Sequence, residues 1–100
     1  MEIRLANTFF KRLKGLMFKK DIDYGLLFSN IACPSIHTSF MRFEIDVYFL
    51  DENKIVLDKI TLKPWRYYKS RHMNVKYVLE TKKDYLNIKI GDKLDTGKLH

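Results

Sequence analysis

Residues 36–62 read IHTSFMRFEIDVYFLDENKIVLDKITL, and the fold is decided within them. Ile45 to Leu50 is apolar at every position except Asp46, and Ile55 to Leu62 alternates until Lys63-Pro64 ends it. Between the two runs, Asp51, Glu52, Asn53 and Lys54 carry turn chemistry. An Asp at the start can accept backbone hydrogen bonds, and an Asn tolerates positive φ. The two runs are therefore expected to pair as a β-hairpin. Upstream, a strand over Ile36 to Phe43 would send Ile36, Thr38, Phe40 and Arg42 one way and His37, Ser39, Met41 and Phe43 the other. Neither face is cleanly polar, which suits a strand inside a closed or sandwiched sheet. Glu44 marks a bend or bulge before Ile45.

Working outward, Ile3 and Leu5 alternate with polar neighbours as a short half-exposed strand. Asn7 or Thr8 can cap a brief helix over residues 9–14, with Gly15 as its left-handed stop. Leu26 to Phe28 reads as a short apolar strand. Residues 29–35 read as a loop, because Pro34 lacks a backbone donor and holds Cys33 extended. Beyond Pro64, Val75 to Thr81 is another strand, and Lys82 to Lys89 has room for one helical turn around Tyr85 and Leu86. Gly91-Asp92 turns the chain into a last strand near Leu94. Short strands separated by turns at this spacing predict a mainly β domain. The form expected is a small jelly-roll or barrel-like sandwich, mostly antiparallel, with one short N-terminal helix, and residues 1–100 make a single domain.

Composition excludes several classes. With 46% hydrophobic and 14% aromatic residues, the chain can build a core and is neither disordered nor fibrous. Cys33 is the only cysteine, so no intrachain disulfide can form, as suits a reducing compartment. No apolar run approaches the roughly 18 residues needed to span a bilayer, and residue 1 leads directly into strand-like sequence rather than a leader. The expectation is a cytoplasmic protein without a membrane partner. A formal charge of +7 favours anionic partners.

Three constellations could carry chemistry. In the first, Arg42 could hold a carboxylate or other anion with a bidentate fork, His37 could exchange a proton, and Asp46 could orient one of them. On a straight strand Arg42 and Asp46 share a face; a bulge at Glu44 would bring Asp46 beside His37 and Met41 instead. The competing reading is a buried pair that fixes register, since buried charges are normally paired. In the second, Trp65, Arg66, Tyr67 and Tyr68 lie among Lys63, Lys69, Arg71 and His72, a pattern that suits single-stranded nucleic acid. No nucleic-acid signature accompanies it, and Trp65 is expected to cap the core beside Pro64, with Arg66 joining the pocket of Arg42. In the third, Cys33 and His37 lack an orienting group for nucleophilic work and are too few to hold zinc. Glu80 could act with Asp46 as an acid-base pair if their environments separated them. No metal and no cofactor is expected.

Gly15-Leu16-Met17-Phe18, Gly25-Leu26-Leu27-Phe28, residues 33–50, Leu62 to Arg66, Val78-Leu79-Glu80 and Gly91 to Leu94 together resemble the bacterial and archaeal domain-of-unknown-function 192 family, over about residues 3–95. The most specific part is Ile36-His37-Thr38, then Met41-Arg42-Phe43, then Ile45-Asp46-Val47. The resemblance implies a compact, mainly β domain with little helix and brings no activity. The chain departs from the family at Glu44, where relatives often have Pro, and at Thr81 to Asp84, where they tend to continue Leu-Pro and a Gly. The functional expectation is a non-enzymatic binding module that presents a polar, cationic pocket of His37, Met41, Arg42, Asp46, Trp65, Arg66 and Glu80 to an anionic small molecule or protein segment. The alternatives are an acid-base or hydrolytic enzyme using His37 with Asp46 or Glu80, and a weak single-stranded nucleic-acid binder. Nucleic acid is the less favoured partner.

Overall fold

The computed structural model describes residues 2–5, 24–29, 35–38 and 41–94. The expected helix over residues 9–14 and the Cys33-Pro34 segment lie outside them. The described chain is mainly β, with the strands β1 (Glu2–Leu5), β2 (Tyr24–Ser29), β3 (Ser35–His37), β4 (Ile45–Leu50), β5 (Val56–Leu62), β6 (Tyr67–Lys69) and β7 (Tyr77–Lys82). They form a five-stranded sheet in the order β1-β2-β7-β4-β5 and a two-stranded sheet of β3 with β6. The sandwich form of the expectation holds, and no barrel closes among the described residues. All pairings are antiparallel except β1 with β2, which is parallel.

β4 is buried at all its positions because it lies between β5 and β7 with apolar clusters on both sides. That is why its sequence is nearly continuously apolar rather than alternating. On one side, Ile45, Val47 and Phe49 join Phe28, Met41, Leu62, Val75 and Val78, and Ile36 and Tyr68 of the small sheet pack against them. On the other side, Tyr48 and Leu50 join Ile3, Leu27, Val56, Leu79 and Leu94. Gly25 permits the close approach of β2 to β1 and β7: a Cβ there would stand 3.1 Å from Leu79 Cδ1 and 3.2 Å from Thr81 Cγ2.

The hairpin between β4 and β5 forms as expected. Asp51 Oδ1 accepts from the Asn53 amide at 2.8 Å and the Ile55 amide at 3.0 Å. The positive φ falls on Lys54, at 61°, and not on Asn53. Between Phe49 and Leu50 the register shifts, Phe49 facing Asp58 and Leu50 facing Val56. Leu57 is the extra residue, and it packs against the first cluster.

Three expectations are corrected. The strand at Ile36 ends at His37, and Met41–Glu44 run outside any strand with a bend at Phe43. Residues 83–85 form turns rather than a helical turn. At the C-terminal end, the described residues form a single bridge of Ile55 with Lys93 rather than a strand, after a turn in which Gly91 takes φ 95°.

Candidate functional site

Thr38 explains why β3 stops early. It is fully buried and holds a turn of the distant segment 63–66 through hydrogen bonds of its amide, carbonyl and hydroxyl. Its amide donates to the Arg66 carbonyl at 2.8 Å, and its carbonyl accepts from the Trp65 amide at 3.0 Å. Its hydroxyl donates to the Lys63 carbonyl at 2.6 Å and accepts from the Arg66 amide at 2.7 Å. Lys63 C=O and Arg66 N–H are the two groups that a β-turn would join directly. The Thr38 hydroxyl stands between them instead.

Pro64 and Trp65 are the central residues of that turn, and Trp65 has φ 62°. Positive φ at the second central position is the type II geometry, which favours Gly there. A bulky aromatic in the left-handed region is an outlier that costs about 1–3 kcal/mol and persists only where surrounding structure fixes it. The bonds from Thr38 supply that constraint. The conformation carries the indole outward, so Trp65 is 60% exposed and does not cap the core.

β6 continues the same surface. Tyr68 turns inward, donating its hydroxyl to Asp58 Oδ2 at 2.6 Å, and its ring lies 5.7 Å from Phe49. That hydrogen bond raises its phenol above the usual tyrosine range. Tyr67 and Lys69, on the opposite side of the strand, are exposed, Tyr67 at 66%. Lys63, Arg66 and Arg71 are exposed as well. His37 is the register partner of Tyr67. The Thr38 carbonyl also accepts from the Met41 amide at 3.1 Å, so the chain turns there, burying Met41 in the first cluster and leaving Arg42 exposed. Among the described residues no carboxylate forms an ion pair with Arg42, Lys63, Arg66, Lys69 or Arg71.

The other two candidates are elsewhere. Asp46 is 2% exposed, and both its oxygens are taken: Oδ1 accepts from the Thr61 hydroxyl at 2.5 Å, and Oδ2 from the Asp84 amide at 3.0 Å. It holds β5 and the 83–85 turn against β4, so neither the fork from Arg42 nor the register-fixing pair of the competing reading forms. On the same side of the sheet, Tyr48 is buried with no hydrogen-bond partner for its hydroxyl among the described residues, and Lys59 Nζ lies 5.1 Å from its ring centre. Burial, then the negative charges of Asp46 and Asp84, push that phenol up to about 12.

Glu80 faces the other way. It lies across from Val47 on one side and Leu26 on the other, both among the first apolar cluster. Burial in this apolar row pushes its carboxyl up to about 7. Asp46 is level with Thr81, the residue after Glu80, so Asp46 and Glu80 project from opposite faces and do not meet.

The seven candidates thus separate. His37, Met41, Arg42, Trp65 and Arg66 belong to the neighbourhood of Thr38, and Asp46 and Glu80 do not. Sequence reasoning overlooked Thr38 as the organiser and undervalued one signal. Lys59, Lys63, Arg66, Lys69, Arg71 and Lys76 stand between Asp58 and Glu80 with no acidic residue among them. Six cations follow one another there without an intervening acid, as they also do from Arg4 to Lys20.

A model of the domain-of-unknown-function 192 family, described as "Uncharacterized ACR", matches residues 1–96. The chain belongs to that family. Among its relatives, a UPF0127 protein of Thermococcus sibiricus is 41% identical over 100 residues, which are 93% of this chain and 64% of the relative. The chain therefore spans less than two thirds of that relative's length. A UPF0127 protein of Pyrococcus furiosus is 39% identical over 106 residues, covering 99% of this chain and 90% of the relative. A solved structure of a protein of unknown function from Novosphingobium aromaticivorans has the same fold, with a TM-score of 0.79 at 23% identity over 91% of this chain and 71% of that one. In this member of the domain-of-unknown-function 192 family, Thr38 of the Ile36-His37-Thr38 run anchors the Trp65 turn. No helix among the described residues is long and apolar enough to cross a membrane.

Proposed function

We propose that the protein is a non-enzymatic binding module whose Thr38-anchored surface receives an anionic partner. The observation that carries this reading is the exposure of Arg42, Lys63, Arg66, Lys69 and Arg71 around one fixed turn, with no carboxylate among the described residues paired to them. Unneutralised cations on a rigid frame concentrate anions through their summed field. Asp46 and Glu80 are excluded from the surface, each buried in its own face of the sheet. A cytoplasmic setting belongs to the same proposal, supported by the single cysteine.

The test is elution from immobilised heparin. The triple variant Arg42→Ala, Arg66→Ala, Lys69→Ala is expected to elute at clearly lower salt than a control triple, Lys83→Ala, Lys89→Ala, Lys93→Ala, which removes the same charge from other exposed positions. Equal shifts for the two triples would mean that only net charge matters and would remove the proposed surface.

A further inference from the structure

We infer that this surface binds single-stranded nucleic acid, with Trp65 and Tyr67 stacking on bases and Arg66, Lys69 and Arg71 following the phosphates. The inference rests on the anion-binding reading and narrows it to one partner. Its first support is composition: the exposed surface offers two large aromatic rings, Trp65 at 60% and Tyr67 at 66%, among the cations. An acidic peptide would satisfy the cations and leave the rings in water. A duplex keeps its base faces stacked inside and presents phosphates outward. Of these three, an unpaired strand brings phosphate charge and open π faces together, and sequence-tolerant binders of single strands combine these two features.

The second support is conformational. Trp65 occupies a position whose backbone favours Gly, at φ 62°, and Thr38 holds it there with bonds to the residue itself and to both sides of the turn. Strain of this kind, in a residue pushed into water rather than into the core, points to a role outside the fold. The third is spacing. Tyr67 and Lys69 are two residues apart on one side of β6, about 6.6 Å at the usual strand rise, so a ring and a cation are presented side by side.

Trp65 is the only tryptophan, which makes its fluorescence a direct reporter. The full chain is titrated with unstructured oligouridine and oligothymidine ten-mers, with a ten-base-pair duplex, with heparin and with a Glu-rich peptide. The expected result is quenching by the single strands and not by heparin, with affinity that falls as salt rises, by about 0.7 log units per log unit of salt for each phosphate contacted. Labelled ten-mers followed by anisotropy should lose about fivefold to a hundredfold in affinity on Trp65→Gly and on Tyr67→Ala, while elution from heparin stays near wild type. Trp65→Gly suits the backbone, so weakened binding in that variant cannot be assigned to misfolding. Preference for uridine over thymidine, or the reverse, tells RNA from DNA. If ten-mers bind no better than duplex and do not quench Trp65, or if the Glu-rich peptide binds more tightly, the inference is overturned while the anion-binding reading stands. If neither ten-mers nor heparin binds, both fall.

Discussion

The turn at Asp51–Lys54 and the turn at Lys63–Arg66 pose the same problem and solve it differently. Each places a non-glycine residue at positive φ, Lys54 at 61° and Trp65 at 62°. The first is settled within five consecutive residues, where the Asp51 carboxylate collects the amides on either side of Lys54. The second is settled by Thr38, more than twenty residues away, and puts a large ring into water. A hairpin can be made with local chemistry alone. The turn that leaves Trp65 exposed is held by a distant buried hydroxyl.

The two buried carboxylates repeat the contrast. Asp46 has both oxygens bonded, whereas Glu80 has no hydrogen-bond partner among the described residues and is kept protonated more readily by burial. Removing a group that the fold compensates should cost stability, and replacing one that it does not should cost nothing or stabilise. Four measurements can break that rule.

Glu80 gives the largest effect. Its carboxyl goes from 4.5 to about 7 on folding, so between those values the folded state binds the proton more tightly than the unfolded state. The contribution of Glu80 to stability is therefore greatest below pH 4.5, falls as pH rises through 7, and levels off above; the loss is about 3 kcal/mol at about 1.4 kcal/mol per pH unit. Urea unfolding at pH 5 and pH 8 should show this fall, and Glu80→Gln should flatten it and be the more stable protein at pH 8. A wild-type curve flat across that range would contradict the burial argument.

Thr38→Val comes next. It keeps the shape and deletes the hydroxyl, leaving Lys63 C=O and Arg66 N–H without it, at a cost of about 1–3 kcal/mol. The denaturant midpoint should fall with an unchanged slope. A loss within about 0.5 kcal/mol, the range of an ordinary surface change, would mean that the turn closes on itself and needs no anchor. Asp51→Ala should cost less, about 1 kcal/mol, because the turn is partly exposed and water can replace the carboxylate. If it matched Thr38→Val, the distinction between the local and the distant solution would lose its energetic meaning.

Trp65→Gly is the smallest and has the opposite sign. Relief of the left-handed strain is set against the greater backbone freedom of Gly in the unfolded chain, so thermal unfolding should show stability equal to wild type or higher by up to about 1 kcal/mol. A clear loss would return Trp65 to the core-capping role its composition suggested.

By itself the sequence determined the elements whose causes are local. The apolar run of β4, the alternation of β5 and the Asp51 turn lie within one stretch, and strand pairing across a short turn needs nothing further. It also determined the surplus of positive charge and the family motif. The tertiary structure decided where those residues face. Ile36 to Phe43 has a strand's alternation, yet the strand stops at His37 because Thr38 finds better partners in residues 63–66. Trp65 is hydrophobic enough for the core, yet its backbone torsion sends it outward. Asp46 and Glu80 look alike on paper, and the pleat of adjacent strands puts them on opposite faces. Hydrogen bonds between residues far apart in the chain, and the side of a sheet on which a residue falls, leave no mark on local composition, and these exposed Trp65 and Tyr67 while burying Asp46 and Glu80.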